Sequence, residues 1–145
     1  MGQAQYQLYF GQLHSHTQYS DGAGSLDAAL DYVKNLPESA NVQFVAFTDH
    51  SNYFDTTGAA NPEGALYDMS LASASSQETW NSYRSSVAAF NEANAGSLVA
   101  LAGFEMTWSG GPGHINTFNT PGIVSRNNST LNNNCLLYTS DAADE

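Results

Sequence analysis

The chain has 145 residues, which gives room for one domain with a modest core, and an ordinary apolar share of 41%. Its charge is lopsided: 14 acidic residues face 3 basic ones, Lys34, Arg84 and Arg126, for a net charge of −11. Such a surface repels nucleic acid, whose binding rests on Lys and Arg contacts to phosphate, and no apolar run has the length of a membrane span, so neither partner is expected.

The same features leave the compartment open. No charged-then-apolar leader precedes Tyr6, so no export address is read there. Acidity with so few lysines is compatible with a secreted or salt-tolerant setting. The single Cys135 excludes an internal disulfide. Asn128-Ser129-Thr130 fits a glycosylation acceptor and is read as chance in an Asn/Ser-rich stretch. No oligomeric state is legible.

In chain order, residues 6–14 mix aromatics and Leu at strand-like density, and Gly22-Ala23-Gly24 then breaks the chain. Ser25 is a good N-cap, and Leu26, Leu30 and Val33 fall at helical spacing, which predicts a helix over 26–35 stopped by Pro37. Residues 42–47 form a nearly continuous apolar run, as a buried parallel strand does, with His50 beyond its end. Residues 52–75 read as an irregular insertion, either a lid over a site or a surface loop. Ser75 and Glu78 make a capping-box pattern, opening a helix to about residue 95 with Trp80, Tyr83, Val87 and Phe90 as its apolar stripe and Gly96 as its stop. A third buried strand over 98–104 delivers Glu105. A glycine-rich loop leads to a fourth short strand over 114–118.

The order β-α-β-α-β-β predicts an α/β fold with parallel strands and right-handed crossovers, and sites in such folds form beyond the strands' C-terminal ends. Residues 6–122 are expected to form the domain, and 123–134 a polar continuation. Residues 135–145 follow no strand or helix logic. They resemble translated sequencing-adapter read-through and are expected to be non-native, with the natural protein continuing where this chain stops.

All four histidines sit at or just after the apolar runs: His14, His16, His50 and His114. His14 and His16 are two apart on an extended segment and so share a face. Asp21 in a Ser-Asp-Gly turn can close on the same space, and Glu105 ends the third run. Imidazole and carboxylate together suit Zn, Mn or Fe, and the lack of nearby thiolates argues against a structural zinc knot. A bridging carboxylate permits two ions about 3.5–4 Å apart, which bind an oxyanion and make hydroxide available near neutral pH. No Lys or Arg lies near these motifs, so the ions would carry the electrostatics. Bland readings stand beside these. Asp21 is also an ordinary turn former, and His114 taken alone a structural histidine. Asp49 either caps a turn or orients His50. Trp108 and Phe118 read as core.

These residues resemble the PHP family, the polymerase and histidinol phosphatase domain. The matching segments are Leu13-His14-Ser15-His16-Thr17 with Ser20-Asp21-Gly22, then Phe47-Thr48-Asp49-His50, Gly103-Phe104-Glu105 and Gly113-His114. They follow the family's order from Tyr6 to about Asn119, and look most like its stand-alone or secreted branch. The resemblance implies a distorted (β/α)7 barrel, here partial and ending after about the fourth strand, with two or three divalent metals. It also implies that His14 and His16 hold a first metal, that Glu105 bridges to a second bound by His114, and that Asp21 and His50 hold a third. Catalysis would rest on Glu105, His14 and His16. The family's later ligands, a further His or Cys and an Asp-X-His pair, have no counterpart, and Cys135 opens the suspected tail. The implied activity is hydrolysis of a small phosphoester. Carboxyl or carbamate ester hydrolysis and a non-catalytic PHP scaffold are the alternatives.

Overall fold

The computed structural model describes residues 6–54, 66–67, 74–108 and 113–124. The predicted lid or loop over 52–75 falls mostly outside them, as do the glycine-rich loop up to residue 112 and everything after Val124. The elements in chain order are β1 (Gly11–Gln12), α1 (Leu26–Lys34), a 3-10 turn (Glu38–Ala40), β2 (Phe44–His50) and α2 (Ser51–Phe54). They continue with β3 (Leu66–Tyr67), α3 (Ala74–Ala93), β4 (Val99–Thr107), β5 (His114–Phe118) and β6 (Ile123–Val124).

Mixed α/β architecture follows from how β2 and β4 pair. They run parallel in full register from Phe44↔Val99 to His50↔Glu105, with α3 in the crossover between them. Both strands are buried on both faces over most of their length, which is why each reads as a continuous apolar run. The main sheet has the order β1-β2-β4-β5, and β3 and β6 form a separate two-stranded ribbon.

Two expectations about the strands are corrected. Residues 6–14 were expected to form a strand, yet only Gly11–Gln12 pair regularly with β2. This is the sheet's edge, and Tyr6, Leu8, Tyr9 and Phe10 all remain exposed because none of the described residues covers them. The chain still tracks β2, through bonds from Gln43 N to Phe10 O (2.7 Å) and from Thr48 N to Ser15 O (2.8 Å). Second, β5 is antiparallel to β4, not parallel, with Thr107 opposite His114 and Glu105 opposite Asn116. The short link between these strands cannot hold the dozen or more residues of a parallel crossover, so the chain turns back as a hairpin.

The helices cover one face of the sheet. Ser25 caps α1 as predicted, its side chain accepting from Ala28 N at 3.2 Å, and Leu26 and Leu30 enter the core. α3 begins at Ala74, one residue before the predicted start, and the expected Ser75–Glu78 cap involves a side chain outside those described. Trp80, Tyr83 and Val87 are buried as expected, with Phe90 packed beside them. Trp80 stacks on Tyr83 (5.4 Å), meets Phe54 edge-on (5.4 Å) and reaches Phe104 (5.9 Å); such pairs contribute roughly 0.5–1.5 kcal/mol each beyond area. Burial, and then the Asp49 carboxylate, push the Tyr83 phenol well above its usual pKa, so it stays protonated and donates to Phe47 O at 2.7 Å. Gly96, at φ +83°, completes the turn after α3 in a conformation that a side chain would strain.

Beyond the reach of β5, side chains and loop finish the outer edge of β4. Asn91 accepts from Ala100 N (2.7 Å) and donates to Ala100 O (2.8 Å), and Asn119 N donates to Ala102 O (2.8 Å). Gly103 is where β5 comes closest: a Cβ there would lie 2.6 Å from Thr117 O and 3.1 Å from both Thr48 Cγ2 and the Phe118 ring. Gly103→Ala is therefore expected to cost about 1–3 kcal/mol in urea denaturation, because backbone must move to admit one methyl. An unchanged midpoint would show that β5 does not pack this tightly.

Candidate metal centre

The face opposite the helices carries Thr48 and His50 from β2, Gly103, Glu105 and Thr107 from β4, and His114, Asn116 and Phe118 from β5, as the period of two and the register require. The parallel strands β2 and β4 end at the same edge. Because β5 is antiparallel, its first residue arrives at that edge too, which puts His114 beside Glu105 with no special loop path. The segment after β1 brings His14 and His16, and the turn that follows brings Asp21.

That turn is tied down from beneath. Gly22 N and Ser20 N both donate to Thr17 O (3.0 and 3.1 Å), and Gln18 N donates to Gly24 O (2.8 Å). Gly22 lies so close to the His16 backbone that a Cβ would overlap it. Asp49, fully buried, accepts from Thr17 N (2.7 Å), Ser20 Oγ (2.7 Å) and Thr17 Oγ1 (2.8 Å). Of the two roles open to Asp49, the turn-capping one is realised. Its bonds go to the loop that carries His16 and Asp21, and His50 is oriented by other groups.

All six predicted ligands come together. Glu105, 5% exposed, is the hub: its Oε2 lies 3.2 Å from His16 Nε2 and 2.7 Å from His50 Nδ1, and its Oε1 accepts from His114 Nδ1 at 2.9 Å. Asp21 spans two histidines, with Oδ1 2.7 Å from His16 Nδ1 and Oδ2 3.3 Å from His50 Nε2. The His16 hydrogen bond holds the Asp21 carboxyl below its ordinary pKa despite some desolvation. Neighbouring rings stand edge to face, His14 to His16 at 4.7 Å and His16 to His50 at 4.4 Å.

Three overlapping groups have ligand atoms within 4.8 Å of one another: His14, His16 and Glu105; His16, Asp21 and His50; His50, Glu105 and His114. The donor set fits a divalent cation. His16 Nε2 and Glu105 Oε2 are both buried and neither has a hydrogen-bond partner, although they lie 3.2 Å apart. Buried polar atoms are seldom left so, and an imidazole nitrogen converging on a buried carboxylate oxygen that already has His50 Nδ1 2.7 Å away is an arrangement a cation can satisfy. Nitrogen and oxygen donors of this kind suit Zn, Mn or Fe rather than a soft, thiolate-seeking ion.

Sequence reasoning missed the hydroxyls that fix the rings. Thr48 Oγ1 lies 2.8 Å from His14 Nδ1, which leaves Nε2 of that ring for a ligand. Thr107 Oγ1 lies 2.7 Å from His50 Nδ1 and donates to Glu105 O at 3.1 Å. Both were detectable: Thr48 is two residues before His50, Thr107 two after Glu105, and alternate strand residues share a face. Tyr53 was also missed. It stacks on His50 at 6.0 Å while its neighbour Phe54 anchors α2 in the core. Compared with protein-family models, curated proteins and solved structures, the chain matches none.

Proposed function

We propose that this chain carries the metal centre of a PHP-type hydrolase that cleaves a small phosphoester. On this reading the four-stranded sheet corresponds to the first part of a distorted (β/α)7 barrel, with the site at the C-terminal ends of its parallel strands. The observation that carries the proposal is the Glu105 carboxylate, buried and flanked by His16, His50 and His114, with one oxygen lacking a hydrogen-bond partner. A buried carboxylate is costly unless hydrogen bonds or a cation compensate it, and a divalent ion would do so for both oxygens at once.

Each imidazole has one ligating lone pair, so groups that share a histidine cannot all be filled at once. Two partitions use each ring once. In the first, His14 and His16 would serve one ion and His50, through Nε2, and His114 a second, bridged by Glu105, with Asp21 orienting His16 from behind. In the second, Asp21 and His50 hold a third ion and the Glu105-bridged pair keeps His14, His16 and His114. When bound, such ions would supply hydroxide near neutral pH and neutralise charge on the transferred group. The chain's own contribution is to fix the ligand geometry: Thr48 and Asp21 set the rings of His14 and His16, and Glu105 would be the carboxylate shared between ions. Among the described residues the only Lys and Arg are Lys34, at the end of α1, and Arg84, which donates to Pro121 O.

The test pairs metal content by mass spectrometry with hydrolysis of a chromogenic phosphodiester and a carboxyl ester, on this chain and on His16→Ala. Two or three equivalents of Zn, Mn or Fe with phosphodiester turnover, both reduced in His16→Ala, support the proposal, and the stoichiometry selects the partition. Turnover of the carboxyl ester alone would move the assignment to an esterase of the same site. Bound metal with no turnover of either would move it to a scaffold, and no bound metal would end it.

A further inference from the structure

Asn116 stands on the same strand face as His114, two residues further on, and directly opposite Glu105 in the β4–β5 ladder. Opposed residues in an antiparallel pair have Cβ atoms about 4.5–5.5 Å apart, so the Asn116 amide is beside the carboxylate hub. Its Oδ1 is buried and has no hydrogen-bond partner. Three such atoms therefore lie on one face: His16 Nε2, Glu105 Oε2 and Asn116 Oδ1. All three are electron-pair donors. Leaving a buried acceptor unmet is costly, and placing a carbonyl oxygen beside a carboxylate adds repulsion unless a positive charge sits between them.

The three-ion partition shows where that charge would be. The ion between Glu105 and His114 then has only those two protein ligands among the described residues, since His14 and His16 serve the first ion and His50, with Asp21, the third. We infer that Asn116 Oδ1 is a further ligand of this ion, completing a Glu105–His114–Asn116 set. His114-Ile115-Asn116 then repeats the alternation of His14-Ser15-His16: two ligands share the site face, while Ile115 between them is exposed. A carbonyl oxygen also suits a hard divalent ion such as Mn²⁺. The inference rests on the proposed metal centre but names a ligand outside its six residues.

The experiment is a competition titration of the full chain against a chromophoric chelator, with Mn²⁺ and with Zn²⁺, on wild type, Asn116→Ala, Asn116→Asp and Glu105→Gln. Circular dichroism of each metal-free protein checks the fold. The inference expects Asn116→Ala to weaken one ion about 10- to 100-fold. It expects Asn116→Asp, which keeps an oxygen in place and adds charge, to bind as tightly as wild type or more so. Wild-type affinity in Asn116→Ala, alongside loss in Glu105→Gln, overturns the ligand assignment and leaves the metal centre standing. Equal weakening by Ala and Asp also overturns it, because the amide nitrogen would then face Glu105 as a hydrogen-bond donor. If wild type binds neither ion, the metal centre fails and the inference with it.

Discussion

Glu105→Gln is expected to abolish binding of the ions that Glu105 would bridge while leaving the metal-free fold as stable as wild type, or more so. The two halves of this result have one cause. Glu105 contacts three histidines and is the carboxylate shared by two of the three candidate ligand groups. A neutral amide offers one weak oxygen donor where a bridging carboxylate offers two charged ones. In the metal-free protein the balance reverses, since a buried charge with an unmet oxygen is replaced by a neutral group of the same shape. The amide hydrogens can also meet the His16 Nε2 lone pair, which otherwise lacks a partner.

The measurement is thermal unfolding with and without Mn²⁺ or Zn²⁺. A ligand at about a thousand times its Kd stabilises the state that binds it by about 4 kcal/mol. For a chain of this size that is a rise in Tm of roughly 10 °C. Wild type should show such a rise and Glu105→Gln none, with metal-free midpoints within about 1 kcal/mol or favouring the variant. Phosphodiester turnover should fall by about 1000-fold or more, equivalent to about 4 kcal/mol of lost transition-state stabilisation. A metal-dependent rise in Glu105→Gln equal to that of wild type would place the ions elsewhere.

The clustered His, Asp and Glu residues were legible because they are unusual where they stand. A carboxylate at the end of a continuous apolar run has no cheap structural purpose, and four histidines gathered at strand ends narrow the chemistry further. Less legible was how the chain arranges the strands. Tyr6 to Leu13 has the composition of a strand, but whether such a segment pairs depends on what packs against it, and at this sheet edge little does. The antiparallel direction of β5 followed from the length of the link after β4, which does not show in apolar patterning. Asp49 is the instructive case. Its neighbours Thr48 and His50 project to the site face, so alternation along β2 sends Asp49 to the other side, where it could not orient His50 directly. That much was available from the residues. Its partners Thr17 and Ser20, about thirty positions away, depend on how the first loop folds over β2, which local pattern does not encode.

This placement makes Asp49→Ala the more damaging of the two substitutions to the fold, and a selective one for the site. Removing the carboxylate leaves Thr17 N, Thr17 Oγ1 and Ser20 Oγ without their acceptor in a buried setting. Hydrogen bonds to a charged group are worth about 1.5–3 kcal/mol each, and since they share one acceptor the expected total is about 3–5 kcal/mol. That is a large part of the 5–15 kcal/mol that typically holds a domain together. Asp49→Asn keeps the shape and an oxygen for Thr17 N and Ser20 Oγ, and the Thr17 hydroxyl can rotate to accept instead; about 1–2 kcal/mol is expected. The milder variant is therefore the one in which to read metal binding. The loop held by Asp49 carries His16 and Asp21, whereas His50, Glu105 and His114 are set by strand ends and do not depend on it. Titration of Asp49→Asn with Mn²⁺ should show weakened binding at the ion served by His14 and His16, with the ion at Glu105 and His114 retained. Uniform weakening of every ion would mean that the loop and the strand ends move as one body, and unchanged binding at all of them would mean that the loop holds its ligands without Asp49.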